Sequence, residues 1–156
     1  MKIYDFRDSL NNAEELKRLI LEFYEITGFL NDSYPGYKDW FSKQIIGCLK
    51  NERTILYAKD NDKISGLIFL KKDDEEAKIC TLYVSPEYRR KGIATKLIEA
   101  SFEYLGTSKP LMTVNSSKLE LFSKIIDKYE WETSETIDNI YNAGETEIIL
   151  NRKTSL

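Results

Sequence analysis

The chain of 156 residues contains no histidine. That removes imidazole as a proton carrier, and with it the usual Ser–His and Cys–His triads. Only two cysteines occur, Cys48 and Cys80, with no repeating framework around them. Two isolated thiols do not build a disulfide scaffold, and without histidine they do not build a zinc site. They imply a reducing compartment, the cytoplasm, and no metal. Proline is scarce at three residues and glycine at seven. No linker or repeat divides the sequence, so a single domain over 1–156 is expected. No apolar run approaches the roughly 18 residues of a membrane span. The opening MKIYDFRDSL also lacks the apolar core of a signal peptide. Nor is one sign of charge in large excess: the net charge is −3 and the pI about 5.2. Neither a membrane nor a nucleic-acid partner is expected, and any anion site must be local.

What is present is an ordinary globular composition, 42% hydrophobic and 31% charged. Lys2–Arg7 alternates apolar and polar residues and predicts a short strand. Asn11 or Asn12 can cap a helix with Glu14 and Glu15 in its first turn and Leu16, Leu19, Ile20 and Phe23 at helical spacing. Pro35 and Gly36 mark a loop, and Phe41, Ile45, Cys48 and Leu49 suggest a second helix. Arg53–Ala58, Lys63–Lys71 and Ala77–Val84 read as a meander of strands joined by polar turns, with Asp73–Glu76 as a solvated hairpin tip. A helix follows, with Ala94, Leu97, Ile98, Ser101, Phe102 and Leu105 on one face and Gly106 as its stop. Pro110–Asn115 is a short strand. Ser116 or Ser117 can cap the next helix, with Leu119, Phe122, Ile125, Ile126 and Tyr129 inward. Trp131–Asn151 reads as two strands around Asn142-Ala143-Gly144. The expected order is βααβββαβαββ, an α/β domain with a mixed sheet.

The stretch VSPEYRRKGIATKL, Val84–Leu97, concentrates three consecutive cations before a glycine. A strand enters, Pro86 breaks it, and a helix leaves near Gly92. The first N–H groups of a helix lack partners within it, and its dipole adds positive charge there. A phosphate suits such an end. Gly92 lets an anion approach the backbone, Ala94 permits close packing, and Arg89, Arg90 and Lys91 add side-chain charge. Each hydrogen bond to a charged group contributes about 1.5–3 kcal/mol. Cations at a helix N-terminus otherwise oppose the dipole, so an anion between them accounts for their position. The phosphate loops G-x-x-x-x-G-K-[ST] and G-x-G-x-x-G are absent.

This stretch resembles the acetyl-CoA binding motif of the GNAT superfamily of N-acetyltransferases: Arg or Gln, two residues, Gly, one residue, then Gly or Ala. Here it is Arg89-x-x-Gly92-x-Ala94, with an apolar strand before it, a helix after it, and a later strand ending in Asn115. The resemblance extends over nearly the whole element order. It implies a mixed, mostly antiparallel sheet flanked by helices. It also implies that backbone N–H groups from about Arg90 through Lys91, Gly92, Ile93 and Ala94 to Thr95 hold the CoA pyrophosphate. A bulged stretch at Leu82, Tyr83 and Val84 would free backbone groups for the pantetheine amides and the acetyl carbonyl. Asn115 would contact the pantetheine arm, or serve simply as a helix cap. The implied reaction is direct attack of an amine on the thioester of acetyl-CoA in a ternary complex, with no metal.

The family pattern is not met everywhere. Many members carry a tyrosine acid on the helix after the fifth strand. Depending on register, Phe122, Ser123 or Ile126 stands there, and no register supplies tyrosine. Ser123 is the candidate acid; Phe122 is a candidate cofactor contact or a core residue. The strand position of the usual glutamate base is Lys78, which leaves Glu76, two residues earlier, as the candidate base. The acceptor region is expected between the first two helices, where Phe29, Tyr34, Tyr37 and Trp40 accompany Glu22, Glu25 and Asp32, a set suited to a cationic amine or to plain packing. The expected activity is acetyl transfer to a primary amine of a small molecule, amino acid or peptide. The alternative is a non-catalytic acyl-CoA-binding regulatory module. A homodimer is left open.

Overall fold

A computed structural model describes residues 1–32, 35–138 and 146–152. Strand β1 (Lys2–Asp5) is shorter than the alternation suggests. The Asp5 carboxylate accepts from the Arg7 amide at 2.9 Å and turns the chain into a 3-10 helix, Phe6–Ser9, with Phe6 buried. Helix α1 (Ala13–Thr27) is capped by Asn12, whose side chain accepts from Glu15 N. It buries Leu19, Phe23 and Thr27, one stripe at four-residue spacing. After a 3-10 segment, Gly28–Asp32, helix α2 (Tyr37–Leu49) starts at left-handed Gly36. Its inner face is Tyr37, Phe41, Gln44, Gly47 and Cys48. Leu49, expected inward, faces solvent, and Gln44 takes an inner position instead. The Gln44 amide pays for its burial by donating to the carbonyls of Thr54 and Leu70 and accepting from Arg53.

Strands β2 (Arg53–Asp60), β3 (Lys63–Lys72) and β4 (Ala77–Val84) form the antiparallel meander. The acidic tip is a turn in which Asp73 accepts from the Glu75 and Glu76 amides. Helix α3 (Ile93–Leu105) ends at left-handed Gly106, and β5 (Leu111–Asn115) follows. The expected helix beyond it splits: Ser116–Phe122 is 3-10, and α4 covers only Ser123–Tyr129. Asn115 caps this segment, rather than either serine. Strands β6 (Thr133–Asp138) and β7 (Thr146–Leu150) complete a seven-stranded sheet in the order β1-β2-β3-β4-β5-β7-β6. The expected turn Asn142-Ala143-Gly144 lies outside the described residues. Among the described residues only β4 and β5 pair in parallel, so the sheet is mixed and mostly antiparallel, and the element order is the expected one.

The sheet is packed on both faces, which is why β3 is apolar on both sides. Leu56, Ala58, Ile68, Leu70 and Ile79 join Ile93, Leu97, Leu105, Ile125, Ile148 and Leu150 on the α3/α4 side. Ile55, Tyr57, Leu67 and Phe69 join Leu19, Phe23, Tyr37 and Phe41 on the α1/α2 side. Each leucine, isoleucine or phenylalanine so buried contributes about 1.5–3 kcal/mol. No helix among the described residues is long and apolar enough to cross a membrane.

Candidate functional site

Strands β4 and β5 pair only at Lys78–Leu111 and Ile79–Met112. Beyond that rung they diverge, which leaves the upper β4 edge unpaired on the β5 side. The divergence coincides with a register shift against β3. Leu70 faces Ile79 and Phe69 faces Thr81, so Cys80 is the extra residue of a bulge. This corrects the expectation of a bulge at Leu82–Val84: Leu82, Tyr83 and Val84 keep regular register with Ile68, Leu67 and Gly66. The bulge turns both Cys80 and Thr81 toward the α1/α2 side, with Tyr83 two residues on; Leu82 and Val84 pack toward α3.

At the open end of the cleft stands the start of α3. Ser85 N continues the β3 ladder by donating to Ser65 O at 2.9 Å, and a 3-10 turn at Pro86–Tyr88 reverses the chain. Arg89 is exposed, and its Nε donates to Val84 O at 3.1 Å, which ties the loop to the strand end. Arg90 and Gly92 are both left-handed, with φ of 65° and 78°. Such kinks are where successive backbone N–H groups form anion-binding concavities. The first bond within α3 is from Lys96 N to Gly92 O, and no side chain caps this end. The amides of Ile93, Ala94 and Thr95 therefore have no acceptor within the helix. A Cβ on Gly92 would meet nothing within 4 Å, so glycine here serves the left-handed backbone and leaves the approach open. Lys91 and Lys63 lie over the Tyr88 ring at 5.5 and 5.9 Å, and Tyr88 donates to Asp60. Lys63 also pairs with Glu87. The β2–β3 turn thus fixes the basic loop.

Gly66 has a positional role that the sequence does not announce. Its missing Cβ would stand 3.0 Å from Tyr83 O, 3.1 Å from Leu97 and 3.2 Å from Ile93. Glycine on β3 lets the first turns of α3 sit against the sheet beside β4. A glycine inside an apolar strand run is the available signal for such close approach.

Asn115 ends β5 on the other lip of the cleft, and its side chain accepts from Ser117 N and Oγ. Phe122 is half-buried and packs toward the α3/α4 core. Ser123 is exposed at the start of α4. Tyr129, the tyrosine of α4, donates to Glu99 on α3, which Lys128 also contacts at 2.9 Å, so its hydroxyl joins two helices. Glu76 is carried away from the cleft. It lies before the start of β4 at the hairpin tip, 2.9 Å from Lys71 Nζ, four residues or roughly 13 Å of strand below Cys80. There it lines a cavity of about 320 Å³ with Glu75, Thr107, Lys109 and Arg152, where β4 and β5 are still paired.

On the α1/α2 side, the exposed Phe29 ring lies 5.6 Å from that of Tyr83, bringing the segment after α1 over β4. Trp40 stacks on Phe69 and Tyr37, and Tyr37 is buried; burial pushes its hydroxyl up to about 12. Both belong to the core. Glu22 pairs with Arg18 on the outer face of α1, while Glu25 and Asp32 are exposed. Tyr34 lies outside the described residues.

The sheet is thus split between its parallel strands directly beside an uncapped helix start. The model of the GNAT acetyltransferase family matches residues 13–113, well over half of the sequence, and the chain belongs to that family. The family uses acetyl-CoA as its acetyl donor. Among solved structures, the aminoglycoside 6'-N-acetyltransferase from Enterococcus faecium is similar over 96% of this chain and 95% of its own, with TM-score 0.68 and 14% identity. The ribosomal-protein-S18-alanine N-acetyltransferase from Escherichia coli is similar over 68% of this chain and 74% of its own, with TM-score 0.56 and 18% identity. A Bacillus anthracis protein assigned as a streptothricin acetyltransferase, solved with acetyl coenzyme A, is similar over 67% of this chain and 65% of its own, with TM-score 0.56 and 18% identity. At these identities the likeness is one of fold. A comparison with curated proteins found no match.

Proposed function

We propose that the chain is an acetyl-CoA-dependent N-acetyltransferase acting on a primary amine of a small molecule, amino acid or peptide. The observation that carries this reading is the parting of β4 and β5 above Ile79–Met112, directly beside the uncapped start of α3. The amides from Arg90 to Thr95, with the side chains of Arg90 and Lys91, hold the pyrophosphate. Arg89 fixes the loop from which they project. The unpaired edge of β4 from Thr81 to Val84 faces Asn115 across the opening; these groups and Phe122 line the pantetheine arm. Backbone N–H groups near the Cys80 bulge polarise the acetyl carbonyl.

Acetyl-CoA supplies an activated acyl carbon and a thiolate leaving group. The thiol has an ordinary pKa near 8.5, so departure does not demand a strong acid. This suits a site in which Tyr129 is engaged with Glu99. Cys80 borders the cleft, but burial pushes its thiol pKa up, the reverse of an activated nucleophile. Direct attack by the amine in a ternary complex follows. The reading carries with it a cytoplasmic location, and the net charge of −3 speaks against a nucleic-acid acceptor.

A second reading, a non-catalytic acyl-CoA-binding regulatory module, is favoured by the distance of Glu76 from the cleft. Release of CoA thiol across a panel of amines and peptides separates the two. Release above the no-amine rate supports the transferase; tight acetyl-CoA binding without it supports the module.

A further inference from the structure

Thr54 of β2, Leu70 of β3, Ile79 of β4 and Met112 of β5 lie in one row across the sheet. Among the described residues this is the last level at which the four strands are joined. Immediately above it β4 and β5 part, and Cys80 is extruded. Gln44, fully buried on α2, grips the first two members of that row. Its Nε2 donates to Thr54 O at 3.1 Å and to Leu70 O at 3.3 Å. Its Oε1 accepts from Arg53 Nη1 at 2.6 Å, and the same Nη1 stands 4.0 Å from Cys80 Sγ. Two side chains therefore link α2, the joined row and the bulge.

Arg53 is half-buried, and among the described residues no carboxylate pairs with it. A cation drawn partly out of water without a counter-charge is costly. Its stem crosses α2 at Gly47, where a Cβ would stand 2.5 Å from Arg53 Cδ and 2.8 Å from Cγ. Glycine inside a helix is unfavourable in itself; here it leaves the passage by which the guanidinium reaches Gln44 and the bulge. Burial keeps the Cys80 thiol protonated, so Arg53 meets a neutral sulfur, which is a weak acceptor. The guanidinium thus backs the extruded residue by packing rather than by charge. Nothing local pins a bulge to one residue of an apolar strand, and this contact from β2 supplies a pin.

Resting on the transferase reading, we infer that Gln44 and Arg53 are positioning residues that clamp the Cys80 bulge and so aim the β4 backbone at the acetyl carbonyl. Bulges re-aim the groups around them. Gln44 fixes the row below the bulge, and Arg53 holds the extra residue turned to the α1/α2 side. The N–H groups beside Cys80 then keep one direction, which is what polarising a carbonyl requires. Neither side chain needs to touch acetyl-CoA. The clamp acts on the chemical step, through the backbone, and leaves the pyrophosphate site at the start of α3 alone.

The test uses the full chain and acetyl-CoA isotope-labelled at the thioester carbonyl. Hydrogen bonds to a carbonyl lower its stretching frequency. In infrared difference spectra the native protein is expected to bind acetyl-CoA with that stretch below its value in free acetyl-CoA. R53M keeps the apolar stem and removes the guanidinium. Arg53 lines a cavity of about 230 Å³ with Lys43, Ile46, Lys50 and Glu52, so water can reach Gln44 Oε1 and the fold is retained. In R53M the bound stretch should return toward the free value, with acetyl-CoA affinity unchanged. Its kcat, with ethanolamine, lysine and a short peptide as probe amines, should fall about 10–100-fold, the range of small misplacements. R53K restores a donor to Gln44 and should recover part of both losses. G47A removes no hydrogen-bonding group but displaces the Arg53 stem, so it should change the stretch in the same direction and serves if R53M unfolds. A native stretch at the free value, or variants that lose Tm but keep the native stretch and kcat, overturns the inference. So does a loss of acetyl-CoA affinity in step with kcat. A native protein that binds acetyl-CoA but releases no CoA with any of the three amines overturns the transferase reading, while the stretch in R53M still decides the clamp.

Discussion

Ile79 and Met112 form the last rung at which β4 and β5 run together. One residue later Cys80 has no partner on β3, and the two irregularities open the sheet at a single level. The helix that leaves the same strand starts uncapped beside that opening. A gap between strands and a positive helix end thus stand side by side.

Gly66 sets how closely α3 approaches. A methyl group there would stand 3.0 Å from Tyr83 O and 3.1 Å from Leu97, and neither neighbour has free space in a packed core. Gly66→Ala is expected to cost about 1–3 kcal/mol, seen as a fall of several degrees in Tm. Acetyl-CoA should also bind more weakly in calorimetry, because the displaced element carries the pyrophosphate amides. An unchanged Tm would show that α3 yields without cost.

Gly92 separates backbone strain from charge. Its φ of 78° strains any other residue, but a Cβ meets nothing within 4 Å. Gly92→Ala and Gly92→Glu should therefore lose similar stability, about 1–2 kcal/mol. Only the glutamate brings a negative charge to the anion site, so its acetyl-CoA Kd should rise at least tenfold above that of the alanine variant. Equal affinities in the two would remove the phosphate from this helix end.

Asp5 gives a stability signature away from the cleft. Burial alone would raise its pKa; hydrogen bonds from the Arg7 side chain, the Thr54 hydroxyl at 2.5 Å and the Arg7 amide outweigh it and hold the carboxyl below 3.8. A depressed folded pKa contributes stability that is complete above the unfolded value, about 3.9, and is lost as pH falls through the lower folded value. Asp5→Asn should cost about 1–3 kcal/mol at pH 7, measured by denaturant unfolding. The gap should close as the pH is taken well below 3.9. A gap that persists in acid would mean that the charge is not its source.

The element order was legible because strand alternation and helical stripes are local patterns. So was the helix start, since Arg89-x-x-Gly92-x-Ala94 combines charge, a left-handed glycine and a small residue in one short run. The bulge was not: Cys80 is extruded by its pairing with β3, and nothing in AKICTLYV distinguishes residue 80 from residue 82. The 3-10 segment hid behind an ambiguity of period, since Leu119, Phe122 and Ile125 recur at three residues and suit either helix. Glu147 reads locally as a polar residue at the start of TEIIL, and only the packing of the sheet buries it. Glu76 failed as a cleft residue for the converse reason: near in sequence, it sits at the strand's other end, held by Lys71.

The central claim is that the parted strands and the start of α3 bind acetyl-CoA. Calorimetric titration of the full chain with acetyl-CoA tests it most directly. The account expects saturable binding at one site per chain, with affinity near micromolar for a few charge-assisted hydrogen bonds after the costs of association, and marked weakening in Gly92→Glu. No saturable heat at millimolar ligand, or equal binding by the Gly92→Glu variant, would contradict it.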